Sequence, residues 1–128
     1  MVEIQTSCGC GCSSTEGPKL VFSCSGCADV GELSDQAART LSREGLGKMS
    51  CLAGIGGRMS GFIKSAEDAS KVLAIDGCSL HCSRKTLEEA GVTGSLHLCL
   101  EDLGFVKGAT EVSRDSITKV VQQATILL

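Results

Sequence analysis

Nine cysteines dominate the chemistry available to this chain of 128 residues. Cysteine thiolates bind soft metal ions and attack electrophiles. The count is odd, so the cysteines cannot all pair as disulfides within one chain. The N-terminal sequence has no apolar signal-peptide core, and we therefore expect the reducing cytoplasm. There, clustered cysteines are more often metal ligands or reactive thiols than structural disulfides.

Two pairs of cysteines have informative spacings. Cys24 and Cys27 form a C-x-x-C, which serves zinc ligation or thiol–disulfide exchange. Cys78 and Cys82 lie four residues apart in "DGCSLHC", directly after the apolar run 72–75. If a helix begins near Cys78, both thiols lie on one face of it. The partial positive charge of a helix N-terminus would then stabilise their thiolates.

Strands and helices are predicted to alternate after Pro18. Apolar runs predict strands near 20–22, 48–52, 72–75 and 96–100, and helical spacing predicts helices near 29–45, 59–66, 79–90 and 113–124. Such alternation is typical of parallel βαβ units with right-handed crossovers. We expect an α/β fold: a small three-layer domain with a four-stranded, mostly parallel sheet, either flavodoxin-like or Rossmann-like.

Local signals refine these elements. Asp29 and Glu32 have the spacing of a capping box, and Ser113 is the expected cap of the last helix. Three glycines between 54 and 57 predict a turn. Asp76 is expected to cap the third helix, whereas the two histidines, His81 and His97, are expected to be structural or exposed.

The cysteines fall where the predicted strands end. Cys24 follows the first strand, Cys51 lies near the end of the second, and Cys78 follows the third. Parallel strands place their carboxyl ends along one edge, where open α/β sheets bind ligands. With the flavodoxin-like order 2-1-3-4, three adjacent strand ends carry Cys24, Cys51, Cys78 and Cys82. Four thiolates within reach of one point fit tetrahedral Zn²⁺, with Zn–S distances of about 2.3 Å.

Other arrangements stay open. Cys27 could replace Cys82 or Cys51 as the fourth ligand, whereas Cys99 lies inside a predicted strand and is expected to pack in the core or near the site rather than to bind the metal. The alternative function is a thiol-based reductase or sulfur-transfer enzyme. In that case Cys24 or Cys78 is the nucleophile, and Cys27 or Cys82 resolves the intermediate. A small anion held at the helix N-termini is a third hypothesis.

The first 17 residues differ from the rest of the chain. Cys8, Cys10 and Cys12 alternate with glycine and precede a serine-rich stretch, which is typical of a flexible tail. We therefore expect a tail over 1–17 and a single α/β metal-binding domain over 18–128. The tail thiols either trap a soft metal or simply belong to a flexible terminus.

The composition of the chain limits the classes of partner that we expect. The net charge is −3, and the chain has three Phe but no Trp or Tyr, so it lacks both the basic surface and the stacking aromatics of nucleic-acid binders. No apolar run reaches the length that spans a membrane. The expected partner is a metal ion, and neither nucleic acid nor a membrane.

Three motifs in this order resemble a known family. They are "FSCSG" at 22–26, "GKMSCLAGIGG" at 47–57 and "AIDGCSLHC" at 74–82. Together they resemble the DGC domain family of proposed zinc-binding proteins, over about residues 19–101. The resemblance implies a small α/β domain in which Cys24, Cys51, Cys78 and Cys82 hold zinc, but it implies no particular activity. Cys27 and the cysteine-rich tail depart from the family pattern and favour metal transfer or thiol chemistry.

Overall fold

Four short apolar segments pair as one parallel sheet. The computed structural model describes residues 17–128, so the predicted tail, with Cys8, Cys10 and Cys12, lies outside the described residues apart from Gly17. The strands are β1 (Lys19–Ser23), β2 (Lys48–Met49), β3 (Lys71–Asp76) and β4 (Leu96–Cys99). Their order is β2-β1-β3-β4, and every pairing is parallel. The predicted α/β fold is confirmed, and of the two strand orders left open the sheet has the flavodoxin-like one.

Helices cover both faces of the sheet. They are α1 (Asp29–Arg43), α2 (Leu52–Gly56), α3 (Ser60–Asp68), α4 (Cys82–Glu89) and α5 (Arg114–Leu127), and a 3-10 turn follows β4 at Leu100–Leu103. Helices α1 and α5 pack on one face, and α2, α3 and α4 on the other. No helix within 17–128 is both long and apolar enough to cross a membrane.

Each central strand supplies both cores, because successive side chains of a strand point to opposite faces. Val21 of β1 and Ile75 of β3 are buried on the α1–α5 side. Phe22 and Ala74 are buried on the α2–α4 side. Burial on both faces explains why these strands are continuous apolar runs.

Strand β2 and the segment that follows it differ from their prediction. Strand β2 is only two residues long, and the expected glycine turn is instead the helix α2. The thiol of Cys51 accepts a hydrogen bond from the Gly54 N–H at 3.3 Å and so caps this helix. Gly54 is required there because a Cβ would collide with the ring of Phe62.

The cap of α1 and the start of α4 were predicted wrongly. The capping residue of α1 is Ala28, and the Asp29 carboxylate instead binds the N–H groups of Gly108 and Thr110. Helix α4 begins at Cys82 rather than near residue 79, after His81 in the left-handed region at φ 55°. Cys78 therefore lies in the preceding loop and does not share a helix face with Cys82.

A glycine follows the end of α1, and the cap expected for α5 is confirmed. Gly45, just beyond α1, has φ 74°, a conformation that glycine adopts without strain. Ser113 caps α5 by accepting the N–H of Ser116, whose hydroxyl accepts the N–H of Ser113 in return.

Candidate metal and thiol site

The loop after β3 carries the Asp-Gly-Cys sequence and packs tightly against the start of α1. A Cβ at position 77 would lie 2.6 Å from the carbonyl carbon and oxygen of Val30, so only glycine fits there. The N–H of Gly77 points at the sulfur of Cys24, at 3.4 Å. The loop is thereby placed directly beside the thiol that follows β1.

Cys24 is half-buried between β1 and α1. Its sulfur lies 3.2 Å from the hydroxyl oxygen of Ser34, and its backbone N–H donates to the carbonyl of Ile75 at 3.0 Å. On the other side of β1, the N–H of Ser50 donates to Val21 and holds the start of the Cys51 loop at the sheet. Cys51 itself is exposed.

Cys78 is half-buried under a second loop. The ammonium nitrogen of Lys107 lies 3.7 Å from the Cys78 sulfur. The Lys107 loop is fastened to α1 because the Asp29 carboxylate accepts the N–H groups of Gly108 and Thr110, both at 2.9 Å. Those two hydrogen bonds lower the pKa of Asp29.

The remaining described cysteines differ in exposure. Cys82, the first residue of α4, is exposed, and so is Cys27, which precedes α1. Cys99 ends β4 and is buried, as predicted, and burial raises the pKa of its thiol. All six cysteines within 17–128 are free thiols.

Asp76 joins three elements beside these thiols. It is 1% exposed, and its carboxylate accepts the N–H of Ser83 at 2.6 Å and that of Arg84 at 3.2 Å. The expected cap of α4 is thus confirmed, although it reaches the helix from the end of β3. The same carboxylate lies 2.9 Å from Nε2 of His97 on β4.

Arg84 connects the two histidines above this carboxylate. Its guanidinium nitrogens lie 2.8 Å from Nδ1 of His81 and 3.4 Å from Nδ1 of His97. A guanidinium only donates, so both Nδ1 atoms act as acceptors. The two imidazole rings meet edge to face, with centroids 4.7 Å apart. The sequence pattern placed both histidines as structural or exposed and did not reveal that Arg84 links them.

The fold brings the four cysteine-bearing segments to one edge but does not bring their thiols together. Cys24, Cys51 and Cys78 follow β1, β2 and β3, and Cys82 begins the next helix. Within 17–128, no three Cys, His, Asp or Glu side chains lie close enough to share a metal ion. The donor chemistry suits zinc, whereas the side-chain positions do not form a ready-made zinc site.

Comparison with known proteins agrees with the motifs. The DGC domain profile matches residues 20–124. The chain is 41% identical to the anaerobic and virulence modulator AnvM of Pseudomonas aeruginosa over 88 aligned residues. The alignment covers 69% of this chain and 67% of that protein. No solved structure is significantly similar. The chain belongs to the DGC domain family.

Proposed function

We propose that this chain binds a zinc ion through the thiolates of Cys24, Cys51, Cys78 and Cys82. The observation that carries the proposal is the contact between the Cys24 sulfur and the Gly77 N–H at 3.4 Å. It joins the ends of β1 and β3 at the residue next to Cys78. Thiolates are preferred zinc ligands, and four of them complete a tetrahedral site.

The strand register supports convergence of the backbone. Ser23 pairs with Ile75 of β3, so continuing that register by one residue places Cys24 opposite Asp76. Val21 pairs with Met49 of β2, and continuing by two residues places Cys51 opposite Ser23. Neighbouring strands lie about 4.8 Å apart. We propose that rotation of side chains and closure of loops gather the thiols while the sheet keeps this register.

A site gathered in this way suits metal handling. Binding must displace the protons of the thiols and order the loops, so the affinity for zinc should rise with pH. Two of the four ligands, Cys51 and Cys82, are exposed and accessible to a competing thiol. We therefore propose a zinc site that exchanges its metal, rather than one that only holds the fold together.

The test is a zinc titration of the reduced full-length protein against a chromophoric chelator. To remove the tail thiols, it uses the variant with Cys8, Cys10 and Cys12 replaced by serine. One zinc per chain is expected, and replacing any one of the four ligands with serine should weaken binding by more than the roughly 10–100-fold typical of an outer-shell partner. Cys99→Ser is the matched control and should bind like the parent. Parent-like binding by all four ligand variants would overturn the proposal.

A second candidate, thiol–disulfide chemistry at Cys78, is favoured by one contact. The Lys107 ammonium lies 3.7 Å from the Cys78 sulfur, close enough to attract negative charge that develops on that sulfur during a reaction. The relative in Pseudomonas aeruginosa is named an anaerobic and virulence modulator. Exposed thiols respond reversibly to oxidants, and this chemistry would suit a modulator that acts under anaerobic conditions.

Alkylation of the metal-free protein tests this second candidate. Lys107→Gln should slow alkylation at Cys78 while leaving the rate at the exposed Cys27 unchanged. Lys85→Gln, a change on the exposed face of α4, is the control for loss of one positive charge. Equal rates at Cys78 with and without the Lys107 ammonium would exclude this chemistry.

A further inference from the structure

An open cleft of about 690 Å³ runs along the edge strand β2, between α1 and α3. Its volume lies within the roughly 300–1,000 Å³ that is typical of small-molecule sites. The residues that give it chemical character are Asp35, Arg39, Arg43, Lys48 and Cys51. The cleft borders the proposed metal edge only at Cys51, because Cys24, Cys78 and Cys82 do not line it.

The lining of the cleft is positively charged, although the whole chain is not. The cleft is lined by three cationic side chains, Arg39, Arg43 and Lys48, and by one carboxylate, Asp35. The net charge of the whole chain, by contrast, is −3. All three cationic residues are exposed. Positive charge gathered in a concave site raises the local concentration of anions and their rate of association.

Asp35 orients Arg39 through Nε and does not occupy the terminal nitrogens of that guanidinium. One carboxylate oxygen accepts from Nε of Arg39 at 2.7 Å, and the other accepts from the Ser25 hydroxyl at 2.7 Å. Burial alone would raise the pKa of Asp35, but the hydrogen bonds from Arg39 and Ser25 outweigh it and lower the pKa. Since Asp35 binds Nε, the two terminal nitrogens of Arg39 can donate to a carboxylate in the cleft.

Cys51 places a thiol on the wall of this cationic cleft. The thiol is held at the start of α2 by the hydrogen bond from Gly54 N–H, at 3.3 Å, and the residue is exposed. A ligand that satisfies both features has carboxylate groups for the cations and a sulfur centre for the thiol. Small disulfides that carry carboxylates have this composition.

We infer that this cleft binds small carboxylate-bearing disulfides and exchanges them with Cys51. The Cys51 thiol loses its proton to solvent, and the thiolate attacks one sulfur of the disulfide. The new bond joins Cys51 to that sulfur, the original S–S bond breaks, and the other half leaves as a thiolate that takes a proton from water. Cys51 is oxidised and the departing half is reduced. The inference goes beyond metal binding and concerns the metal-free protein.

The test measures the rate at which metal-free full-length protein forms mixed disulfides at each cysteine, mapped by peptide mass. Three disulfides are compared: oxidised glutathione, which is anionic; hydroxyethyl disulfide, which is neutral; and cystamine, which is cationic. Cys27 is the matched reference, since it is exposed but lies outside the cleft. The ratio of the anionic to the neutral rate should be roughly 10-fold larger at Cys51 than at Cys27, and salt should reduce it.

Charge removal completes the test. The double variant Arg43→Gln and Lys48→Gln should lower the Cys51 ratio to that of Cys27, whereas Lys85→Gln on α4 should leave it unchanged. Both changes in the double variant are at exposed positions, and unchanged circular dichroism would show that the fold is retained. Equal ratios at Cys51 and Cys27, or a Cys51 ratio unaffected by the double variant, would overturn the inference. Because the double variant keeps all four proposed ligands, zinc titration of it reports on metal binding separately.

Discussion

The buried carboxylate of Asp76 lies 2.9 Å from Nε2 of His97, across the neighbouring strands β3 and β4. His97 pairs with Ala74 in the ladder, so the two side chains are diagonal neighbours on the face that α4 covers. The same carboxylate also accepts two N–H groups at the start of α4. Asp76 therefore holds together the three elements that flank the Cys78–Cys82 segment.

Replacing Asp76 with alanine should strongly destabilise the fold. The change leaves the N–H groups of Ser83 and Arg84 without their acceptor in a buried position, at a cost of roughly 3 kcal/mol or more in the free energy of unfolding. Asp76→Asn retains an acceptor oxygen and should lose less. Urea unfolding measures both, and an Asp76→Ala variant as stable as the parent would contradict the assigned role.

Gly77→Ala should also destabilise the protein, by about 1–3 kcal/mol, because its Cβ would press on the Val30 backbone. Gly26→Ala is the matched control in a neighbouring loop, since a Cβ there meets nothing within 4 Å. Thermal unfolding of the two variants gives the comparison. Similar losses at both positions would show that the close approach at Gly77 is unimportant.

The lowered pKa of Asp29 predicts that the free energy of unfolding depends on pH. Its pKa in the folded protein lies below the ordinary 3.8, so its contribution is fully present above that value and is lost as the pH falls through the folded pKa. The stability difference between the parent and Asp29→Asn should therefore be constant from about pH 7 to about pH 5 and shrink in stronger acid. Denaturant unfolding across this range measures it, and a difference that grows in acid would have the wrong sign.

Cys99 should be the slowest described thiol to react with iodoacetamide. It is 4% exposed, and its raised pKa leaves less of the reactive thiolate at neutral pH. The exposed thiols of Cys27 and Cys82 should be labelled first in metal-free protein. Mass mapping over time provides the order, and labelling of Cys99 as fast as Cys27 would show that the end of β4 opens readily.

The strands of the sheet were predictable from sequence because the patterns that indicate them lie within short stretches of the chain. Apolar runs and the alternation of strands with helices were enough to predict four parallel strands, whereas their order was left open between flavodoxin-like and Rossmann-like; the structure has the flavodoxin-like order. The start of α4 was not predictable, because its cap is Asp76 at the end of β3. Asp29 shows the same limit: its spacing to Glu32 suits a capping box, yet its carboxylate binds Gly108 and Thr110, about 80 residues away.

The candidate site was predictable at the level of segments and not of side chains. Topology alone places Cys24, Cys51 and Cys78 after adjacent strands, as the sequence analysis expected. Their thiol positions depend on later contacts, such as the capping bond at Cys51 and the Lys107 loop over Cys78. The contact between Lys107 and Cys78 joins residues 29 positions apart, which no local spacing encodes. Zinc binding by the four cysteines stays a prediction.

X-ray absorption at the zinc edge tests the central claim most directly. The sample is full-length protein loaded with one equivalent of zinc, with Cys8, Cys10 and Cys12 replaced by serine so that only cysteines of the domain can bind. The account predicts a shell of four sulfur atoms at about 2.3 Å. It also predicts that one sulfur is lost from the shell in each single serine variant of Cys24, Cys51, Cys78 and Cys82. A shell dominated by nitrogen or oxygen, or a four-sulfur shell that persists in these variants, would contradict it.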